Sequence, residues 1–449
     1  MSRMPLLTDD AIRSALALDP TVRAPLDLGP GIRSAIGSTS QRSTPWLRNA
    51  SPRVAFAVRL VVLGLLLIAL LGAIALIGSR RPAPQVLPAV ITYHGGPERT
   101  GVMPGPGPRG TLSACWPAFP LNGPVGSYAP VVANGTVYIG DANGSIDAVD
   151  ELSGVKRWQT PTGPAINDAP AIAPNLVIAG YDDGIVRAWD AKTGLPGWTF
   201  KTGAQVRSSP AVVDGVLYFG SDDGHLYAID AATGSVRWES PDTGGTIDRA
   251  VAVSAGVIYA GSGNPTDAKF DAYDAQTGQP RWAQPVHLGP GQPSTPTVVG
   301  TEVFVASGLD TSAGPHLLIA LNAATGAEIW HWQSPAGVKQ QVNIGAVANG
   351  IVYVVSYDHG VYALDAGTGA SRWPAPFMTK APIGAVAGFV DGTLYVPSSD
   401  RHLYLIDATS GAVMAPPFPL QGDPSGPAII DGRLFLATTL GRLMCIAGS

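Results

Sequence analysis

Residues 210–240 read PAVVDGVLYFGSDDGHLYAIDAATGSVRWES. Four short runs rich in β-branched and aromatic residues, AVV, VLYFG, HLYAID and SVRW, are separated by DG, DDG and AATG. Runs of this length and composition between glycine-containing turns are strands of an antiparallel meander. In DDG the glycine supplies a positive φ and the aspartates can bond their own backbone, which suits a tight hairpin. Asp230 and Thr233 are spaced to cap the last turn, with Gly234 in the left-handed position. No 3.6-residue periodicity runs through ten or more residues, which argues against a helical solenoid.

The unit recurs. Asp150, Asp190, Asp230, Asp274, Asn322, Asp365 and Asp407 are each followed four residues later by Gly, at steps of 40, 40, 44, 48, 43 and 42 residues. After the first six a Trp follows at the eighth residue: Trp158, Trp198, Trp238, Trp282, Trp330 and Trp373. Four strands per period of this length make a propeller blade. Equivalent strands begin at Val137, Leu176, Leu217, Ile258, Val303, Val352, Leu394 and Leu434, which predicts eight blades. The eighth, ending in RLMCIAGS, lacks its outermost strand, and SACWPA at residues 113–118 can supply it, with Trp116 in the place of the repeat Trp. Closure by a strand from the other end of the chain removes an open edge. Aligning both segments with the third repeat sets Cys115 opposite Cys445 across that hairpin. A disulfide there suits an exported, oxidising location and contributes about 2 to 5 kcal/mol.

Hydrophobic residues make 45% of the 449-residue chain and charged residues 14%, enough apolar material for a large core. Residues 1–81 hold ten Arg and four Asp, so the chain from Pro82 onward carries 18 basic and 29 acidic residues beneath a formal total of −5. An acidic domain lacks the basic face that nucleic acid requires. One long apolar run, VAFAVRLVVLGLLLIALLGAIALIG at 54–78, matches the ~20 residues of a membrane-crossing helix. A cleaved signal peptide would have a shorter apolar region nearer residue 1. Arg42, Arg48, Arg53 and Arg59 outnumber Arg80 and Arg81 across the run, which by the positive-inside rule leaves the N-terminus in the cytoplasm and the repeats outside the cell membrane, extracellular or periplasmic. The expected organisation is an Arg-rich cytoplasmic tail over 1–53, a transmembrane helix over 54–78, a Pro/Gly-rich linker over 79–111 and an all-β, eight-bladed propeller of four-stranded blades over 112–449.

Motifs such as LYAIDAATGSVRW and VYALDAGTGASRW resemble the repeats of the pyrroloquinoline-quinone-type β-propeller superfamily, over about residues 91–449. The lead-in YHGGPERTGVMPGPGP is similar to that of membrane-anchored bacterial members. The resemblance implies that Trp116 and the six repeat tryptophans pack between blades. It implies a choice of activities as well, because that superfamily holds quinoprotein dehydrogenases, a non-catalytic outer-membrane assembly lipoprotein and sensor domains of membrane kinases. The dehydrogenases typically carry adjacent cysteines, which this chain lacks.

Polar residues occur where the innermost strands begin: Asn167, Asp168, Arg207, Asp248, Arg249, Asn343 and Lys380. Such a ring at a channel rim suits an anionic or zwitterionic ligand. DANGSID at 141–147 has its glycine misplaced for a calcium loop, the histidines show no metal-ligand spacing, and no nucleophile elbow or P-loop occurs. No catalytic residues and no metal site are assigned. The expected function is a membrane-anchored extracytoplasmic scaffold that binds a protein, peptide or glycan. The alternatives are a dehydrogenase using pyrroloquinoline quinone with calcium, and a sensor signalling through the cytoplasmic tail.

Overall fold

The Asn-Gly and Asp-Gly pairs of the repeat close the innermost hairpins. Asn134 and Gly135, Asp214 and Gly215, Asn349 and Gly350, Asp391 and Gly392, and Asp431 and Gly432 all have φ between 46° and 79°, the conformation a two-residue hairpin needs. The repeat Asp closes the outer hairpin. Asp230 Oδ1 accepts from the Ala232 and Thr233 amides at 3.2 and 3.0 Å and from Thr233 Oγ1 at 3.0 Å, and Gly234 sits at φ 73°.

The computed structural model describes residues 89–307, 317–333 and 341–449. Eight antiparallel sheets follow one another along the chain. We number them blades 1 to 7, spanning 131–159, 171–201, 211–239, 252–291, 297–333, 342–378 and 388–419. Blade 8 joins strands within 428–448 to Leu112–Ala114. Innermost strands of successive blades touch, and that of blade 8 touches that of blade 1, so the ring is closed. The described residues therefore form an all-β, eight-bladed propeller with four-stranded blades.

The closing strand is Leu112–Ala114, paired with Ile446, Ala447 and Gly448, and a second short strand, Phe119–Pro120, pairs with Leu443 and Arg442. Between them the Cys115 amide donates to the Cys445 carbonyl at 3.0 Å, and the two sulfurs are bonded across a Cα separation of 5.3 Å.

Tryptophans peg the ring together. Trp158, Trp198, Trp238, Trp282, Trp330 and Trp373 each donate Nε1 to a carbonyl of the next blade, at Ala191, Ala231, Ala275, Ala323, Ala366 and Ala408, over 2.7 to 3.2 Å. Trp116 does the same to Glu151 at 3.3 Å. Each indole lies against the turn glycine of its neighbour. A Cβ on Gly411 would stand 2.9 Å from the Trp373 ring, so that glycine permits the contact as well as the turn. Trp332, outside the repeat register, tilts against Tyr362 of blade 6 at 5.0 Å between ring centroids.

Residues 89–111 are not a spacer. The compact unit begins at Val86, and this segment threads the centre of the ring. Val90 bridges to Val132 of blade 1, and the amides of Ile172, Val253, Val298, Val347 and Phe389 donate to the carbonyls of Ile91, Pro97, Glu98, Thr100 and Gly101. The Gly432 amide of blade 8 donates to Pro106. Blade 3 is reached by Arg99, whose Nη2 donates to the Ser209 and Pro210 carbonyls at 2.8 and 3.1 Å. Innermost strands would otherwise leave these groups on an unpaired edge. The predicted tail, transmembrane helix and first part of the linker lie outside the described residues, among which no helix is long and apolar enough to cross a membrane.

Candidate functional site

In most blades the turn between the second and third strands folds back on the loop leading into the innermost strand. The Asp182 amide donates to the Ala165 carbonyl at 3.0 Å and the Asp222 amide to the Gln205 carbonyl at 2.9 Å. The residue after the turn's first position thus stands beside the residues that start the inner strand. In blades 2 and 3 that residue is acidic, and its neighbours can answer it. Asn167 Nδ2 donates to Asp182 at 2.8 Å, and Arg207 forms an ion pair with Asp222.

A further link crosses between blades. Ser209 Oγ donates to Asp168, whose carboxylate also accepts from the Ala169 amide at 2.8 Å. Asp168 is only 6% exposed, and burial pushes its carboxyl well above the usual range, against the pull of the Ala169 amide, Arg99 and Arg249. Arg249 lies 3.8 Å from Asp248. Arg207 and Asp222 feel Asp182 as well, so the group is electrostatically continuous.

Five of the seven residues predicted for the rim therefore come together: Asn167, Asp168, Arg207, Asp248 and Arg249. Asn343 and Lys380 stand apart. Asn343 is half-buried on the inner strand of blade 6, opposite Val355. Lys380 is exposed, and its amide donates to Asp400 at 3.1 Å. The structure adds four residues that the sequence reading had not assigned to a site. Asp222 comes from the DDG of residues 222–224, read there only as turn chemistry, and Asp182 from the same motif one repeat earlier. Tyr93 and Arg99 come from the segment read as linker.

Arg99 is fully buried, its Nε donating to the Val251 carbonyl at 2.9 Å and its Nη1 to the Tyr93 carbonyl at 2.7 Å. Burial lowers it to about 10, against the attraction of Asp168. Beside it, His94 donates Nε2 to the Gly345 carbonyl at 2.7 Å and is held down to about 4 by burial.

The arrangement can hold a ligand that both donates and accepts. Asp168 Oδ2, Asp182 Oδ1, Asp222 Oδ1 and Arg207 Nε are buried without a hydrogen bond to the protein, and buried polar atoms in that state favour a partner that supplies one. Among the described residues no group of three His, Cys, Asp or Glu side chains is placed to hold a metal ion. Pyrroloquinoline quinone with calcium would need a free carboxylate and amide pair. Open carboxylate oxygens are present, but the adjacent cysteines typical of the dehydrogenases that the repeats resemble are not, since Cys115 and Cys445 are 330 residues apart and bonded to each other in blade 8.

Comparison with known proteins agrees with the repeat. A 142-residue stretch is 34% identical to the serine/threonine-protein kinase AfsK of Streptomyces griseus, covering 30% of this chain and 17% of the kinase's length. The ring is similar to the structure of BamB from Moraxella catarrhalis (TM-score 0.54, 16% identity, 75% of this chain and 98% of that one). It is similar also to quinohemoprotein alcohol dehydrogenase from Comamonas testosteroni (TM-score 0.63, 15% identity, 80% of each chain). At such identities the likeness is one of fold. The family model described as outer membrane protein assembly factor BamB matches residues 118–196, 142–312 and 314–414. By that match, over most of its length, the chain belongs to this family of pyrroloquinoline-quinone-type repeat propellers.

Proposed function

We propose that the chain is a single-pass membrane protein whose propeller is displayed outside the cell membrane as a binding and scaffold module for a protein, peptide or glycan. The observation that carries this reading is how the polar residues at the ring's centre are engaged. Arg207 answers Asp222, Asn167 answers Asp182 and Ser209 answers Asp168, a set of mutual supports around a few open acceptors. Such a surface recognises mixed polar groups. The assembly-factor description of the family agrees with a partner that is itself a protein.

The alternatives keep specific support. A quinone-dependent dehydrogenase is favoured by the fold shared with the Comamonas enzyme and by the elevated Asp168 carboxyl, a group suited to proton transfer. A sensor acting through residues 1–53 is favoured by the AfsK likeness, since that relative is a kinase. Full-length protein supplied with pyrroloquinoline quinone, Ca²⁺ and primary alcohols or sugars is expected to show no turnover, and turnover would overturn the binding reading. A protease added to intact cells, or to spheroplasts if there is an outer membrane, should release the propeller. Complete protection would overturn its placement outside.

A further inference from the structure

Blade 4 differs from blades 2, 3, 6 and 7 at one repeat position, where blade 5 carries the apolar Ile319. Three residues before the turn acid, blades 3, 6 and 7 carry Tyr227, Tyr362 and Tyr404, each donating its hydroxyl to the aspartate four residues earlier, at 2.8, 2.5 and 2.6 Å. Blade 2 carries Arg187 there, whose guanidinium grips Asp183 through two nitrogens at 3.0 and 2.6 Å and lies over the Tyr181 ring at 4.3 Å. In each case a long donor side chain satisfies a carboxylate of its own blade.

In blade 4 the position is Asp271, short and an acceptor. It is 6% exposed and lines a cavity of about 180 Å³, walled by Pro241, Pro280, Pro285 and Tyr273, with Asp242 and Lys269 at its margin. One Asp271 oxygen accepts from the Ala272 amide at 2.7 Å. Burial pushes the carboxyl up to about 6, and only that amide opposes the shift. Lys269, though it lines the same cavity, does not offset it. Asp267, four residues earlier, is engaged by His287 at 2.6 Å. Blade 1 has Asp147 at the equivalent register, sealed from solvent with Gln159 paired opposite.

We propose that this cavity between blades 3 and 4 is a socket for an arginine side chain of a protein partner. The guest guanidinium supplies to Asp271, beside the Tyr273 ring, the donor that Arg187 supplies to Asp183 beside Tyr181. A planar guanidinium satisfies a carboxylate with two bonds and lies well on an aromatic face, while the prolines receive the aliphatic stem. The acidic balance of the chain from Pro82 onward, 18 basic against 29 acidic residues, favours a basic partner. The inference rests on the binding-module reading.

The test uses the full chain in detergent at pH 7.5, titrated calorimetrically with acetyl-Gly-Arg-Gly-amide, with the same peptide carrying citrulline for arginine, and with agmatine. The arginine peptide should bind saturably, and loss of the charge in citrulline or in Asp271→Asn should weaken it about tenfold or more. Asp271→Tyr, which restores the side chain of blades 3, 6 and 7, should close the socket and abolish binding without lowering the melting temperature. Binding should weaken as pH falls through about 6. Equal binding of the citrulline peptide by the wild type would overturn the proposal whether or not the variants fold. Unchanged binding by a folded Asp271→Asn would do so too, and agmatine binding more tightly than the peptide would overturn a protein as the source. A ring that ignores the peptide yet shows no quinone-dependent turnover loses only the socket, whereas turnover removes the binding-module reading itself.

Discussion

Blade 7 meets its two neighbours by different means. On the blade 6 side Trp373, 3% exposed, donates to the Ala408 carbonyl and lies on Gly411, and a core containing Tyr353, Phe389, Leu394 and Ile406 closes around it. On the blade 8 side there is neither peg nor receiver. The repeat position in blade 7 is Ala415, and blade 8 has no outer turn because its last strands, 442–448 and Leu112–Ala114, come from distant parts of the chain. Instead, Tyr395, Leu403 and Leu405 of blade 7 join one continuous core with blade 8, blade 1, Trp116 and Met103 of the threading segment, while Tyr395 Oη donates to the Pro108 carbonyl at 2.9 Å. A peg is a local solution that needs one Trp and one turn. The seam without one draws on the chain's two ends and on the segment through the centre.

Removing a peg should be the most damaging single change. Trp373→Ala leaves a cavity, with the Ala408 carbonyl kept by the Tyr353 hydroxyl alone, and a loss of about 3 to 5 kcal/mol is expected in denaturant unfolding. A loss below ~1 kcal/mol would mean that the seams do not depend on their tryptophans. Within blade 8, replacing both Cys115 and Cys445 by Ser should cost about 2 to 5 kcal/mol, because the bridge spans 330 residues of chain. Equal midpoints for that variant and the wild type would show that the threading segment alone suffices for closure.

Acid should act through the threading segment, at His94 against blade 6. Folding holds His94 down to about 4, so below its ordinary value of ~6.5 the unfolded chain takes up a proton that the folded ring refuses. This group therefore costs nothing above that pH and up to about 3 kcal/mol as pH falls towards 4. Asp147 and Asp271, raised to about 6, work in the opposite direction over the same window. Hence the informative quantity is the stability of wild type relative to His94→Asn, whose side chain tolerates the left-handed backbone at φ 60°. That difference should fall between pH 7.5 and 4.5, and a pH-independent difference would clear His94 of the role.

The smallest effect is expected from Ala415→Trp, which writes the missing peg into blade 7. With no turn on blade 8 to receive it, stability should move by no more than about 0.5 kcal/mol. A gain comparable to the loss at Trp373 would show that a peg needs no receiver.

Much of this was legible because each blade repeats the same local chemistry. Asp230, Thr233 and Gly234 announce their turn within four residues, and the eightfold recurrence of the strands needs no knowledge of distant contacts. Cys115 and Cys445 could be set opposite each other for the same reason, as register is inherited from the repeat. The site was legible only in part. Position along the strand identified Asn167, Asp168, Arg207, Asp248 and Arg249, yet it selected Asn343 and Lys380 with equal force, since register says nothing about which blades carry answering charges. Asp182 and Asp222 were hidden by their turn role. A buried Arg99 was hidden by composition, because a Pro- and Gly-rich segment looks like a spacer until the ring is built around it.

Taken alone, the order of residues determined the number of blades, the turn that ends each one and the pairing of the two cysteines, because these depend on neighbours a few positions apart or on a repeated register. Only the tertiary structure decided that residues 89–111 run through the centre, that the polar groups gather on blades 2 to 4, and that Asp271 lines a cavity. Those outcomes depend on which side chains the closed ring brings together from far along the chain, and on what burial then does to their charge.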